Sequence, residues 1–371
     1  MRWTKPLSEA QESYLFWTGL FSLSSVLKRN VKVPAKLLGS WEIYPFLYIF
    51  FISPPGKGRK STTQDYANDL LDEMEGVDRI SSAMTEAVLI ERIAAAKDCA
   101  VSIRSREFGT FYKKAGDSLI DTLTHLFDGV KHYDVQTISR GFDLTNSPCV
   151  NLHACTTPVW MAENLSESAI GGGFASRVIN VYEETTRRRK LYNDDLDYPA
   201  LSRLRGRLIA DLANIGQITG EFSLDPDAKS FMEQWYSENA ENPAIDDPKL
   251  AGYYERKPGH IHKLAMLIRI AYSDDLTLTL PDFHQAIKQL GLVEKKMLRV
   301  YQATGKNIHY GDLDDIAHYI TRKGFASRVE ILSRFSNVGL PEKLFELLGA
   351  LVSMQKIEET VQGGKQGYKG K

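Results

Sequence analysis

The stretch 44–71 constrains the fold of this chain most strongly, because it predicts a strand, a glycine loop and a helix in immediate succession. An apolar, β-rich run at 46–52 ends in a turn of proline and glycine residues, and a helical pattern follows from residue 60 onwards. A glycine loop that leads into a helix presents backbone N–H groups to an anion, and the helix dipole favours negative charge there. The stretch therefore predicts a loop that binds phosphate.

The loop residues have defined expected roles in nucleotide binding. We expect Lys60 to contact the β- and γ-phosphates of ATP and the Ser61 hydroxyl to hold Mg²⁺. The spacing departs from the usual G-x-x-x-x-G-K-[ST] pattern, because Pro54 and Arg59 occupy the two glycine positions. The alternative is an ordinary turn between a buried strand and a helix. The residues expected to contact the nucleotide are Pro55, Gly56, Lys57, Gly58, Arg59, Lys60, Ser61 and Thr62.

Composition and charge exclude several classes of protein. The chain has 371 residues and a net charge of −1, so it is not a polycation, and any contact with nucleic acid must come from local patches. Its three cysteines fit neither a zinc site nor a disulfide framework, which predicts reduced thiols in the cytoplasm. The apolar run at 44–52 is too short to span a bilayer and no secretory signal is visible, so no membrane partner is expected.

A second predicted strand, at 99–105, is followed by a candidate catalytic carboxylate. In an ATPase with such a loop, a strand beside the first ends in acidic residues, one acting on the Mg²⁺ shell and the next polarising the attacking water. Glu107 fits the second role, whereas Arg106 stands where the preceding aspartate is expected. The alternative is a surface glutamate after a strand. Without the aspartate, metal binding is left to Ser61 and water, or hydrolysis is slow.

A third predicted strand, at 149–155, ends in two threonines that precede Pro158. A hydroxyl or amide at this strand end is placed to sense the γ-phosphate in such ATPases. We expect Thr157 to have this role, to cap the helix that begins at Pro158, or to do both.

Two further segments carry candidate functional cations. Three glycines precede Arg177 and a β-rich run follows it, which makes Arg177 a candidate arginine finger acting on a phosphate held by a neighbouring subunit. The alternative is an arginine paired with a local carboxylate. Residues 133–147 predict a β-hairpin. The cations at its base and tip, expected either to contact DNA phosphates or to be solvated, are Lys131, His132 and Arg140.

The C-terminal half is predicted to be mainly helical. A polar linker at 183–197 leads into helices that suit the lid of an AAA+ ATPase, where Arg256, just before a buried helix, is a candidate second sensor arginine. The alternative is simply a basic helix start. Residues 316–368 predict two helices followed by a wing, and such winged helices bind either DNA or other proteins. The tail at 362–371 is expected to be disordered.

Six segments carry a resemblance to a known family: FWTGLFSLSSVLKR (16–29), PPGKGRKSTT (54–63), SREFGTF (105–111), CVNLHACTTPVWM (149–161), GGGFASRVI (171–179) and GYYERKPGHIHKLAMLI (252–268). Together they resemble the phage and prophage P-loop ATPases labelled primase/helicase-like. The resemblance implies that Lys60 and Ser61 bind nucleotide. It also implies that Glu107 is the Walker B glutamate and that Arg177 is the finger. The predicted hairpin is similar to one that grips DNA in the ring channel of superfamily 3 and minichromosome-maintenance helicases.

The sequence as a whole predicts an α/β fold, with a P-loop, AAA+-like ATPase core, an N-terminal helical extension, a helical lid and a C-terminal winged helix. The expected domains are 1–40, 41–190, 191–305 and 311–371, the last with a flexible tail. The resemblance implies an ATP-hydrolysing DNA motor or helicase of phage or prophage replication. Such a motor would be a homo-hexameric ring acting on single-stranded or forked DNA in the bacterial host cytoplasm, with a primase or polymerase supplied in trans. Two alternatives stay open: a non-translocating helicase loader or initiator, and a nucleotide-binding DNA or protein adaptor without useful hydrolysis.

Overall fold

The computed structural model describes residues 1–39, 41–81, 84–137, 141–164, 173–239, 242–245, 247–301, 309–335 and 341–370. The chain divides into two compact units, Met1–Tyr301 and Gln302–Lys371. The predicted N-terminal extension, the predicted core and residues 191–301 of the predicted lid belong to the first unit.

The first unit alternates helices and strands along the chain. Its helices are α1 (Thr4–Leu7), α2 (Glu12–Leu27), α3 (Ala35–Leu38), α4 (Lys60–Leu71), α5 (Glu86–Ala95), α6 (Phe108–Ala115), α7 (Asp117–Phe127), α8 (Pro158–Asn164), α9 (Phe174–Arg177), α10 (Tyr198–Ile215), α11 (Pro226–Asn239), α12 (Pro248–Ile270) and α13 (Leu280–Tyr301). Its strands are β1 (Val31–Lys32), β2 (Tyr48–Ile52), β3 (Asp78–Ile80), β4 (Ala100–Ser105), β5 (His132–Thr137), β6 (Gly141–Asn146), β7 (Cys149–Thr156), β8 (Val178–Tyr182), β9 (Gly220–Glu221), β10 (Ser223–Leu224) and β11 (Thr277–Leu278).

A five-stranded parallel sheet forms the centre of the first unit, in the order β3-β4-β7-β2-β8. Tyr48 of β2 is opposite Leu152 of β7 on one side and opposite Val178 of β8 on the other. β4 pairs with β7 and not with β2, so the expectation that the strand before Glu107 lies beside the strand before the glycine loop is wrong. β7 takes the intervening position because all of its residues are buried, which requires neighbouring strands on both edges and helices on both faces.

Helices cover both faces of this sheet, and the alternation of side chains along β2 decides which ones. Phe50 points to the face covered by α6, and its ring contacts that of Phe108 at a centroid distance of 4.6 Å. Phe51 points to the opposite face and stacks on Tyr14 of α2 at 4.3 Å. The Tyr14 hydroxyl also donates a hydrogen bond to the Ile52 carbonyl oxygen (2.7 Å), which fixes the end of β2 where the glycine loop begins.

The expected hairpin is present in the described residues, where β5 and β6 pair in antiparallel orientation. Its tip, which includes Arg140, lies outside the described residues. The hairpin ends just before β7 begins at Cys149, so its base lies at the amino edge of the sheet. No helix in the described ranges is both long enough and apolar enough to cross a membrane.

The position expected for Arg256, just before a buried helix, is wrong, because Arg256 lies inside α12. This helix begins before Arg256 because its N-terminus is capped upstream. Pro248 occupies the first turn, and the Asp247 carboxylate accepts a hydrogen bond from the Lys249 N–H (2.9 Å).

The second unit consists of helices α14 (His309–Lys323), α15 (Arg328–Arg334) and α16 (Pro341–Ser353) and strands β12 (Ala326–Ser327), β13 (Ile357–Gln362) and β14 (Lys365–Gly370). The strands form an antiparallel sheet in the order β12-β14-β13. The expectation of a disordered tail at 362–371 is wrong for the described residues, since β14 pairs with both other strands. Gly363 and Gly364 supply positive φ angles in the turn, and Tyr368 is buried in the core of this unit.

Candidate functional site

A cavity of about 480 Å³ lies at the carboxyl ends of β2, β7 and β4, where the glycine loop leads into α4. Parallel strands end at one edge of a sheet, so residues that follow different strands meet there. Most of the residues predicted from separate stretches of the sequence converge on this cavity, although Gly58 does not line it. The lining residues are Pro55, Gly56, Lys57, Arg59, Lys60, Ser61, Thr62, Arg106, Glu107, Phe108, Gly109, Cys155, Thr156, Thr157 and Trp160.

Two glycines with positive φ shape the loop between β2 and α4. Gly56 has a φ of +69° and Gly58 a φ of +81°, which residues with a Cβ rarely adopt. A Cβ on Gly58 would also lie 2.7 Å from Ser53 Oγ. The glycines therefore stand where this loop needs them, although the usual motif places them elsewhere. Arg59 stands at one of those usual glycine positions, and it too has a positive φ (56°), while Glu9 holds its guanidinium at 2.7 Å.

Lys60 folds back onto its own loop. Its Nζ donates hydrogen bonds to the Ser53 carbonyl oxygen (3.0 Å) and to Ser53 Oγ (2.7 Å), and that hydroxyl donates in turn to the Lys57 carbonyl oxygen (2.6 Å). Burial lowers the pKa of Lys60, and the nearby Cys155 and Glu107 act in the opposite direction. The ammonium is thus held at the cavity by neutral oxygens, which an anionic ligand can replace.

Helix α4 is fixed against the strand ends by a buried amide. Gln64 is fully buried, and its Nε2 donates to the His153 carbonyl oxygen of β7 (2.8 Å) and to the Ser105 carbonyl oxygen of β4 (3.3 Å). The first turn of α4 contains Lys60, Ser61 and its unpaired N–H groups. Gln64 therefore holds that turn in register with the carboxyl ends of both strands.

Glu107 is the N-cap residue of α6 and presents an exposed carboxylate to the cavity. Within the described ranges its carboxylate makes no hydrogen bond or ion pair, so it is available to bind water or a ligand.

Arg106, the preceding residue, is paired with a carboxylate. Its Nη2 donates to Asp65 Oδ1 (2.7 Å), an oxygen that also accepts a hydrogen bond from Arg104.

The two threonines after β7 have different environments. Thr157 Oγ1 accepts a hydrogen bond from the Trp160 N–H (3.2 Å), which confirms that Thr157 caps α8. Thr156 Oγ1 is buried and has no hydrogen-bond partner among the described residues, yet Thr156 lines the cavity. Ligand sensing, helix capping or both were expected of Thr157, whereas the unpaired hydroxyl belongs to Thr156. Because side chains alternate along a strand, the exact end of β7 was needed to separate them.

Trp160 forms a wall of the cavity, and it was not among the site residues predicted from the sequence. Its indole packs edge-on against Phe108 (5.6 Å between centroids) and Tyr112 (5.6 Å). A Cβ on Gly109 would lie 2.4 Å from Trp160 Nε1, so the glycine is what permits this approach. Gly109 follows Glu107 by two residues. A glycine this close to a candidate catalytic residue was the one sign in the sequence that another group packs closely there.

Arg177 and Arg256 meet at the opposite edge of the sheet, the amino edge, and neither lines the cavity. Arg177 is buried immediately before β8, where it donates hydrogen bonds to the Gly173 carbonyl oxygen (2.8 Å) and to the Asp128 carboxylate. Arg256 Nη1 donates to Asp128 Oδ1 (2.8 Å). Both arginines are thus paired with one local carboxylate, which is the alternative that the sequence left open for Arg177.

The remaining predicted DNA contacts lie at the hairpin base. Lys131 and His132 are exposed, and His132 Nδ1 lies 3.1 Å from Asn146 Oδ1 across the hairpin. Arg140 is outside the described residues, so the structure brings two of the three predicted cations together.

The groups able to hold a metal at the cavity are few. The described residues contain no cluster of three His, Cys, Asp or Glu side chains suited to a metal ion. The cavity offers the Ser61 hydroxyl and the Glu107 carboxylate. Mg²⁺ keeps several waters and is usually bound through one or two carboxylates together with substrate phosphates. These residues therefore fit a Mg²⁺ that arrives with a nucleotide and do not form a cage of protein ligands.

A scan against protein-family models finds no match, and a search of the curated proteins finds no significant match.

Proposed function

We propose that this chain is a P-loop ATPase of the AAA+ type that binds and hydrolyses ATP with Mg²⁺ at the cavity. One observation carries the proposal: a glycine loop, the first turn of a helix, a free carboxylate and an unpaired hydroxyl converge at the carboxyl ends of adjacent parallel strands. This is where open α/β sheets bind their ligands.

The charge of the cavity supports a polyanionic ligand. Its lining carries four cations, Lys57, Arg59, Lys60 and Arg106, against one carboxylate, Glu107. Carboxylates outside the lining, Glu9 and Asp65, pair with Arg59 and Arg106. The triphosphate of ATP is negatively charged, so it would be attracted by these cations and by the N-terminus of α4. In the proposed complex, the Lys60 ammonium leaves Ser53 and contacts the β- and γ-phosphates.

The proposed mechanism is in-line attack of water on the γ-phosphate. The Glu107 carboxylate accepts a hydrogen bond from that water and orients it. The Thr156 hydroxyl donates to a γ-phosphate oxygen, which gives this buried group its partner. Lys60 stabilises charge on the transferred phosphoryl group. Mg²⁺, when bound with ATP, would be held by Ser61 and would neutralise phosphate charge.

The geometry also supports a site shared between subunits. β2 and β8 are parallel and in register, so Arg177 lies beside the amino end of β2 and the glycine loop beyond its carboxyl end. At the usual rise of a strand, this separates them by about 20 Å, which is longer than an arginine side chain. Arg177 therefore reaches a phosphate only in a neighbouring copy, as an arginine finger in a homo-oligomeric ring would.

The proposed role is that of a DNA motor or helicase of phage or prophage replication, working as a hexamer in the bacterial host cytoplasm. The hairpin with Lys131 and His132 supports contact with single-stranded or forked DNA, and Arg140 is proposed to add a phosphate contact at the tip. The helices and three-stranded sheet of the second unit support a winged helix, which would bind DNA or a primase or polymerase in trans.

A nucleotide-binding adaptor without useful hydrolysis is the second candidate. The observation that favours it is Arg106, a guanidinium at the position where an acid would assist the metal. A helicase loader or initiator would retain hydrolysis without translocation.

ATP turnover with and without single-stranded DNA separates these functions. A motor hydrolyses ATP faster when single-stranded DNA is added and separates a forked duplex, whereas a loader or initiator hydrolyses ATP without separating the fork. An adaptor binds ATP and leaves it intact. If the protein binds no ATP at micromolar to millimolar concentrations, the proposed function is wrong.

A further inference from the structure

Arg106 lines the cavity near the first turn of α4, which carries Ser61, the residue proposed to hold Mg²⁺. Arg104 lies in β4, and Arg106 directly follows the last residue of that strand. Both guanidinium groups reach Asp65 on α4. Asp65 lies one helical turn after Ser61 on the same side of α4. Arg106 therefore stands beside the hydroxyl proposed to hold Mg²⁺.

The two arginines at Asp65 are not equivalent. The side chain of Arg104 is 13% exposed and is held between strand and helix, whereas that of Arg106 is 61% exposed. Arg106 lines the main cavity and also a second cavity of about 200 Å³ next to it. It can therefore turn towards a ligand without disturbing the core, while Arg104 stays on Asp65.

The charge balance leaves Arg106 free for an anion. One carboxylate, Asp65, faces two guanidinium groups, so its charge stays neutralised by Arg104 when Arg106 turns away. Glu107 is adjacent in sequence but points its carboxylate into the cavity without pairing with a cation of the described residues. Arg104 and Arg106 together exceed Asp65 by one positive charge, which lies beside the Glu107 carboxylate at the rim of the proposed phosphate site.

We propose that Arg106 binds the terminal phosphates of the nucleotide held by its own chain. Its positive charge would replace part of the charge that Mg²⁺ supplies in ATPases with an aspartate at this position. This inference rests on the proposed nucleotide site. A guanidinium fork binds two phosphate oxygens at once, which a lysine cannot do. The consequence is nucleotide binding that depends only weakly on Mg²⁺.

The test measures binding of a fluorescent, non-hydrolysable ATP analogue in buffer with Mg²⁺ and in buffer with EDTA, with inorganic tripolyphosphate as competitor. The unaltered protein should bind the analogue in EDTA within about tenfold of its affinity with Mg²⁺, since Arg106 replaces contacts of the metal. Arg106→Ala should weaken binding in EDTA by roughly tenfold to a hundredfold, the usual range for a lost charged hydrogen bond, and less with Mg²⁺. Arg106→Lys should recover part of the loss.

Arg205→Ala is the matched control. Arg205 also pairs with an aspartate of α4, Asp69 (2.5 Å), but does not line either cavity. It should leave both affinities unchanged. Circular dichroism and thermal unfolding of every variant establish that each is folded.

The outcomes separate this inference from the proposed function. If Lys60→Ala abolishes binding while Arg106→Ala behaves like Arg205→Ala in EDTA, the role of Arg106 is wrong and the nucleotide site stands. If the unaltered protein loses all binding in EDTA, the inference is also wrong. If neither the analogue nor tripolyphosphate binds in either buffer, the site and the inference both fail.

Discussion

The two edges of the central sheet differ in which of their polar side chains have partners. At the carboxyl edge, the Glu107 carboxylate and the Thr156 hydroxyl have no partner among the described residues, and cations outnumber carboxylates. At the amino edge, Arg177 and Arg256 are both paired with Asp128. Groups without partners are prepared for a ligand, whereas paired groups are prepared for one only if it displaces their partner. The comparison suggests that one edge receives a nucleotide and the other acts on the nucleotide of a neighbour.

Lys263 shows how strongly the amino edge differs from the cavity. It is buried, with its Nζ donating to the Phe46 carbonyl oxygen (3.1 Å) and lying 3.8 Å from the Phe127 ring centroid. Its pKa is lowered to about 7, mainly by burial. The positive charges of Arg256 and Arg177 also lower this pKa, whereas the Asp128 carboxylate raises it. The Lys60 ammonium borders an open cavity, while that of Lys263 is enclosed by protein.

The largest expected effect is at Lys60. Lys60→Ala removes the fixed positive charge of the loop, so nucleotide binding or ATP hydrolysis should fall by roughly a hundredfold or more. Binding of the fluorescent analogue and release of phosphate measure the two quantities. Lys36→Ala, which removes an exposed lysine paired with Glu221, serves as the control and should change neither. Undiminished turnover in Lys60→Ala would place the active site elsewhere and end the comparison of the two edges.

Arg177 should give the next largest effect, and one of a different kind. Arg177→Ala should leave ATP binding near normal and lower hydrolysis on the order of 10³-fold, the loss typical of an arginine finger. A matched control is Arg269→Ala, which removes another arginine paired with an aspartate, Asp275 (2.6 Å). A loss of binding in place of turnover would mean that Arg177 only supports the fold through Asp128.

Glu107 tests the division of labour within the cavity. In Glu107→Gln the amide cannot polarise water as the carboxylate does, so ATP should stay bound while hydrolysis falls by roughly 10² to 10⁴-fold. Parallel measurement of binding and turnover distinguishes this from a structural role. If binding is lost and turnover per bound nucleotide is kept, another carboxylate activates the water.

The smallest expected effect concerns stability. Because the pKa of Lys263 is depressed in the folded protein, the unfolded chain binds more protons between about pH 7 and pH 10. The free energy of unfolding should therefore rise with pH across that window, and the penalty is fully present below pH 7. In Lys263→Met this contribution is absent, so the slope between pH 7 and pH 9 in chemical denaturation should be smaller than in the unaltered protein. Equal slopes would show that Lys263 keeps its ordinary pKa.

Local patterns predicted much of the fold and part of the site. The apolar run at 46–52 and the residues from Lys60 onwards specify β2 and α4 through neighbours in sequence, and both elements form. The order of strands depends on long-range packing, so the position of β7 between β2 and β4 was not predictable from either strand. For the same reason, the pairing of Arg177 with Asp128, distant in sequence, could be listed only as an unspecified carboxylate.

Two other differences between the sequence predictions and the structure have local causes. The glycines and lysines at 362–371 suggested disorder, but Tyr368 is buried, Gly363 and Gly364 have the positive φ angles of a turn, and β13 pairs with β14. At the end of β7, the choice between Thr156 and Thr157 depended on a shift of one residue, which reverses the face to which a side chain points. Such single-residue shifts are below the precision of sequence patterns.

The central claim is that the carboxyl edge of one subunit and the amino edge of the next form one active site. Mixing Lys60→Ala protein with Arg177→Ala protein tests it directly, because each variant supplies the residue that the other lacks. In randomly mixed rings with independent interfaces, about a quarter of the interfaces combine an intact Lys60 with an intact Arg177, and ATP turnover should recover to about that fraction. If mixed oligomers assemble and turnover stays at the level of the separate variants, or if the protein remains monomeric with ATP and DNA present, the shared site is contradicted.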